Sequence, residues 1–383
     1  VTGDRLDPRT LRIEACVRID APKSSKIPPC DVKELNASAF PGYGFNHEAQ
    51  QPPLYYAVTA AYRAVAERLT GDGNFLQVAR LGGIGWLIAG LLLSWVAGRL
   101  LGAPAWALLA VLLVLAASPA IIYYSSIVSN DATALFAGAL VLTTAVVVGP
   151  RPRTSGVVAL AVCGGVVAAL KPTNGVAVLA VALYLGVVLY RQGDRGAVLV
   201  RSWLRSGGAL VIGAVVVTLV WVAISGHLAT MDGRDLPVYQ VRQLSGLHLD
   251  LLLSQATNLL WSATDTVPQG TLTHPMQLFV TDLVRVLFLV PLVLGIFVAK
   301  RRWFHLLGVS GALALLGAGF GYGLVVLLTL GMDPGTGSRY GISVLPALAV
   351  VLAFLAVRAR VVWLVGAIGA VGTVTTLVVL ATA

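Results

Sequence analysis

Polar and apolar positions divide the chain into two regimes. Residues 1–51 mix Pro, Lys, Asp and Ser with apolar residues and hold no run of about 20 apolar positions, the length a crossing helix needs. From Arg80 onward, near-continuous apolar runs alternate with short polar connections. Their length and all-round hydrophobicity predict membrane helices at 81–101, 104–124, 127–148, 155–170, 173–190, 207–225, 283–299, 304–330, 339–357 and 361–381. The fourth run is short for a full crossing and stops at Pro172, with Gly175 close behind. Residues 52–69 also read as a helix, but Arg63, Glu67 and Arg68 suit one lying at the water–lipid boundary. The pattern therefore predicts an all-α polytopic integral membrane protein, a bundle of about ten transmembrane helices.

The same pattern orders the chain into regions. Residues 1–51 form a polar head, 52–80 an interfacial helix and its connection, and 81–225 a first group of membrane helices. Residues 226–282 make a long excursion, inside which 247–261 reads as an amphipathic interfacial helix, and 283–383 form a second membrane group.

Orientation follows from the connections. Arg99, then Arg151 and Arg153, then Arg191, Arg195, Arg201 and Arg205, then Lys300, Arg301 and Arg302, then Arg358 and Arg360 fall in alternate loops. The positive-inside rule puts that series in the cytoplasm and the other loops outside, at a plasma membrane. Residues 1–80 and 226–282 are then extracytoplasmic. An exported head of this size without a visible signal predicts a further transmembrane helix ahead of Val1.

Composition adds limits. Of 383 residues 57% are hydrophobic and 11% charged, and mean hydropathy is +0.85, so most of the chain belongs in lipid. The excess of 27 basic over 17 acidic residues reports orientation and attraction to anionic headgroups. No nucleic-acid-binding module is present. Cys163 falls in an apolar run and reads as a packing residue. Cys16 and Cys30 stand like the ends of a closed loop in the head. Outside the cytoplasm a disulfide is the expectation, two free thiols being the alternative.

Four short stretches on the outer side hold the polar chemistry. The first, residues 45–56, sets His47, Glu48, Gln50 and Gln51 before Pro52-Pro53 and then Tyr55 and Tyr56. Its bland reading is a proline-started helix with interfacial tyrosines. The second is Ser129-Asn130-Asp131 at the mouth of the third span, where an aspartate either caps the helix or faces a polar cavity. The third is Lys171-Pro172-Thr173-Asn174-Gly175, whose lysine either snorkels or holds a phosphate. The fourth carries Arg339 and Tyr340 in a Gly-rich segment, and arginine forks suit phosphate. Arg80, before the first span, is a weaker instance.

In order and spacing these stretches resemble the GT-C superfamily, polytopic glycosyltransferases that use polyprenyl-phosphate sugars, such as the protein mannosyltransferase-like and aminoarabinose transferase-like proteins. The features that carry the resemblance are Pro-Pro-Leu-Tyr-Tyr after a His/Glu loop, Ser-Asn-Asp-Ala, Lys-Pro-Thr, and Arg-Tyr followed by Leu-Pro-Ala-Leu, over roughly residues 45–360. The resemblance implies sugar transfer to a glycan or protein acceptor at the outer face. It makes Asp131 the family's second acidic position and, with Glu48, a catalytic candidate. It makes Lys171, Arg339 and Arg80 ligands of the lipid phosphate, and His47, Gln51, Tyr55, Tyr56, Asn130 and Tyr340 substrate contacts. His47 and Glu48 stand where some members hold a divalent metal, and no nucleotide cofactor is implied. The family's first acidic motif follows a first transmembrane helix, and residues 1–44 hold no matching pair. Two rival readings stay open: a transporter or flippase of lipid-linked saccharide, and a non-catalytic membrane scaffold.

Overall fold

The computed structural model of the chain describes residues 6, 8–17, 30–31, 34–40, 44–46, 50–70, 75–230, 244, 246, 248–260, 275–298, 305–331 and 337–382. All regular structure among them is helical. The head carries α1 (Pro8–Val17), where Leu11 and Ala15 pack on Phe40 and a disulfide joins Cys16 to Cys30. Arg12 Nη1 donates to the Cys30 carbonyl at 2.7 Å, tying the far end of that loop back to the helix.

Next come α2 (Leu54–Thr70), α3 (Phe75–Leu100), α4 (Ala105–Ala116), α5 (Pro119–Ser126), α6 (Ala134–Val148), α7 (Thr154–Leu170) and α8 (Gly175–Arg191). They are followed by α9 (Gly196–Leu228), α10 (Leu249–Leu260), α11 (Pro275–Val298), α12 (His305–Leu330), α13 (Leu345–Arg358) and α14 (Val362–Thr382). Every predicted apolar run contains a helix. By length and hydropathy, however, six helices among the described residues qualify to cross a membrane, or seven if α4 and α5 are one broken span. The chain is thus an all-α multi-pass protein, and the expected count of ten is not reached among the described residues.

The differences have local causes. The run 104–124 is bent by 62° between α4 and α5. Pro119 opens α5, and as a helix-interior residue it would lack an N–H and clash with the carbonyl of Leu115. The run 207–225 is the middle of a longer helix, since α9 spans 33 residues and absorbs one π turn at Leu204–Gly208. There Trp203 Nε1 donates to the Ala182 carbonyl at 2.8 Å, fastening α9 to α8. On α2, Arg63 and Glu67 pair at 2.6 Å one turn apart, on a part-exposed face of the helix. α10 packs Leu252, Gln255, Ala256 and Leu259 against α12 while Leu249 and Leu253 stay exposed. Its spacing of three and four is the amphipathic pattern read from the sequence.

Helix pairs in lipid gain nothing from mutual hydrophobicity, so close backbone approach matters. α7 and α9 achieve it reciprocally. A Cβ on Gly164 would stand 2.1 Å from the Leu210 carbonyl oxygen, and one on Gly213 would stand 1.9 Å from that of Ala161. The centre of the bundle is α13, buried from Leu345 to Ala353 along its whole circumference. At one end of the bundle Arg151 Nη2 meets Asp194 Oδ1 at 2.7 Å, joining two arginine-bearing loops. That hydrogen bond, with a second from Ser202, holds the Asp194 carboxyl below its ordinary range. The other end holds the polar stretches described next.

Candidate functional site

Three helices begin with a 3₁₀ turn at the same end of the bundle: Asn130–Thr133 before α6, Pro172–Asn174 before α8, and Ser338–Val344 before α13. Each turn follows from its sequence. Ser129 Oγ accepts from the Asp131 backbone N–H at 3.3 Å, Pro172 fixes the start of the second turn, and Pro346 lets α13 begin only after the third. Gly138 brings two of them together. A Cβ there would lie 1.7 Å from the Ser343 carbonyl oxygen, so the third turn rests directly on the α6 backbone.

Asp131, Lys171 and Arg339 therefore converge. Lys171 Nζ makes a short ion pair with Asp131 Oδ1, and both side chains are buried. Arg339 Nε lies 3.2 Å from Asp131 Oδ2, yet its N–H finds no acceptor in line. The contact is a charge attraction without a hydrogen bond, and it leaves a buried donor unspent. Ser129 Oγ also contacts Oδ2, at 3.3 Å. Two cations thus face one carboxylate, so the cluster carries a surplus positive charge.

Neutral groups fix the rest. Asn130 Nδ2 donates to Gln51 Oε1 at 3.3 Å, which ties the stretch before α2 to the first turn. Asn130 Oδ1 is buried without a partner. Asn174 Nδ2 reaches Thr133 Oγ1 at 3.3 Å, and Thr133 Oγ1 donates to the Asn130 carbonyl at 2.8 Å, linking the first and second turns. The Tyr340 ring lies 5.2 Å from Lys171 Nζ and 5.3 Å from the Arg339 guanidinium carbon. Both are within cation–π reach.

The other predicted residues divide as follows. Tyr55 is buried beside Ala132 and Leu170, the chain neighbours of Asp131 and Lys171, so it supports the site from behind. Tyr56 meets the Tyr55 ring edge-on at 5.0 Å. Arg80 is not in the cluster. It stands in α3, which packs on the first turn, and its Nε is buried without a hydrogen bond. His47 and Glu48 lie outside the described residues. Among the described residues no three His, Cys, Asp or Glu side chains gather to hold a metal ion.

Two residues join the site that sequence reasoning did not single out. The Tyr124 ring centroid lies 5.9 Å from the Arg339 guanidinium carbon, within cation–π reach. Its signal was its place in YYSSIVSND, the loop that ends in Asp131. Trp221, deep in an apolar run, donates from Nε1 to the Gln50 carbonyl at 2.8 Å, and nothing in its surroundings marked it. No known family, no curated protein and no solved structure matches the chain.

Proposed function

We propose that the chain is a membrane glycosyltransferase of the GT-C kind, moving a sugar from a polyprenyl-phosphate donor to a glycan or protein acceptor on the extracytoplasmic face of the plasma membrane. The single observation that carries this reading is the cluster of Asp131, Lys171 and Arg339, two cations on one carboxylate with an unspent Arg339 donor. A partly buried positive surplus suits an anionic ligand, and a lipid phosphate is the anion a membrane-embedded site meets. The alternation of arginine-bearing loops supports an orientation with the cluster, and residues 1–80 and 226–282, outside.

In the proposed reaction the acceptor hydroxyl oxygen attacks the anomeric carbon and the bond from that carbon to the phosphate oxygen breaks. The phosphate leaves with the electron pair, and Lys171 and Arg339 hold its charge. A phosphate seated between these cations competes with Asp131 for them. It thereby frees a carboxylate oxygen that accepts the hydroxyl proton. Gln51, Asn130 and Tyr340 line the same region, and Glu48 and His47 enter on the sequence resemblance alone.

One observation favours a second reading. Both Asp131 oxygens are already engaged, so the cluster also serves as a clamp across three helix starts, as a scaffold would need. Transfer of radiolabelled sugar from polyprenyl-phosphate donors in membranes separates the two. Transfer by the native chain that disappears in Asp131→Asn, with both proteins inserted and monodisperse, upholds the enzyme. A native chain inert toward every donor refutes it.

A further inference from the structure

The opposite end of the bundle holds a second feature that the proposed chemistry does not use. Between the ends of α3, α6 and α8 lies a cleft of about 440 Å³. That volume is within the range of about 300–1,000 Å³ typical of small-molecule sites. Its lining is mostly apolar, with Leu101, Ala145, Val146, Leu185 and Val188, and the exposed Arg191 and Gln192 complete it where α8 ends. Leu100, which also lines it, and Val147, beside it, are 53% and 68% exposed, so this part of the surface faces lipid.

The depth of the cleft is marked by Tyr190. Its ring is half exposed, and the Arg195 guanidinium carbon lies 3.8 Å from its centroid. Exposed tyrosines beside arginines sit at headgroup level in a bilayer. Arg191 is therefore at the headgroups, while the apolar walls extend from it toward the acyl region. The three adjoining loops, 99–103, 149–153 and 191–195, hold Arg99, Arg151, Arg153, Arg191 and Arg195 against one carboxylate, Asp194. Asp194 is taken by Arg151, and Arg99 Nη1 by the Ala103 carbonyl at 2.8 Å. Arg191 is exposed and has no hydrogen bond or ion pair among the described residues.

We infer that this cleft binds an anionic phospholipid of the arginine-side leaflet, one acyl chain between α3, α6 and α8 and the phosphate on Arg191 and Gln192. Charge selects the occupant. An apolar slot alone accepts any lipid tail, whereas an unpaired arginine at its rim, among four others, favours a headgroup with net negative charge. The site is independent of the Asp131 cluster, which is at the other end of the same helices.

The test is native mass spectrometry of the full chain released from nanodiscs of equal parts phosphatidylcholine and phosphatidylglycerol. The expected result is retention of phosphatidylglycerol over phosphatidylcholine. Arg191→Gln should lower the retained phosphatidylglycerol about fivefold, the loss expected for one surface arginine. Arg191→Lys should restore most of it, and Val188→Trp, which fills the slot, should remove both lipids. Equal retention of the two lipids by the native chain overturns the inference. So does an Arg191→Gln chain that retains as much as the native one, or a lipid-free dimer in which a second copy covers the cleft. Arg191 is exposed and outside the packed core, so its variants fold whether or not Val188→Trp does.

Discussion

Asp131→Asn takes from the site the carboxylate that two cations share, and the structure ranks its cost against the neighbouring substitutions. The Asp131 and Lys171 side chains are 7% and 6% exposed, whereas Arg339 is 39% exposed. Neutralising Asp131 strips a counter-charge from a buried ammonium and a guanidinium at once. A broken buried pair costs about 3–5 kcal/mol, and this variant belongs in that range. Lys171→Met leaves the carboxylate with Arg339, for a loss of about 2–3 kcal/mol. Arg339→Gln removes a solvent-reached partner and costs about 1 kcal/mol. The pair Asp131→Asn with Lys171→Met removes both buried charges, so its loss should fall short of the sum by about 1–3 kcal/mol. Unfolding by SDS titration in mixed micelles, followed by tryptophan fluorescence, measures all four. An Asp131→Asn loss under about 1 kcal/mol, or a strictly additive double variant, would refute the claim that this ion cluster is a coupled, desolvated unit.

Gly138→Ala should cost about 1–3 kcal/mol by the same assay, because its methyl collides with the Ser343 carbonyl, whereas Gly175→Ala, which meets nothing within 4 Å, should be near neutral. Asp194 is held below its ordinary carboxylate value by Arg151, so its contribution is complete above that value and is lost as pH falls through the depressed one. Acid titration of thermal stability should thus show an acid-side loss that Asp194→Asn flattens; an unchanged profile contradicts the assignment. Orientation is checked by membrane-impermeant maleimide in a Cys163→Ser background. Ser126→Cys should label from outside and Arg153→Cys from the cytoplasm, and the reverse pattern overturns the topology.

Much of the fold was legible because lipid-facing helices announce themselves by composition. A run such as 173–190 has one stable outcome in hydrocarbon. What the apolar count misses is backbone chemistry inside a run. The 104–124 stretch stays hydrophobic through Pro119, and only the proline's clash with the preceding turn reveals two helices. The site was half legible. Alternating loop charge put Asp131, Lys171 and Arg339 on one side, but no local pattern says that the lysine and arginine share the same carboxylate. That pairing is tertiary: Gly138 lets the Arg339 turn rest on α6, and Asn174 with Thr133 ties the Lys171 turn to the Asp131 turn. Tyr124 escaped because an interfacial tyrosine and a cation-facing tyrosine look alike in sequence. His47 and Glu48 fall outside the described residues, so the resemblance alone speaks for them.

The three 3₁₀ turns have an electrostatic consequence of their own. α6, α8 and α13 all point their N-terminal ends at the Asp131 cluster. The peptide dipoles of each helix leave about half a positive charge at that end. Three such ends add a field of roughly one and a half charges, from atoms that no side-chain substitution removes. With Lys171 and Arg339 both neutralised, that field is set against the single negative charge of Asp131, which leaves about half a positive charge and a weak attraction for anions. Double neutralisation should weaken the capture of an anionic ligand without reversing its sign.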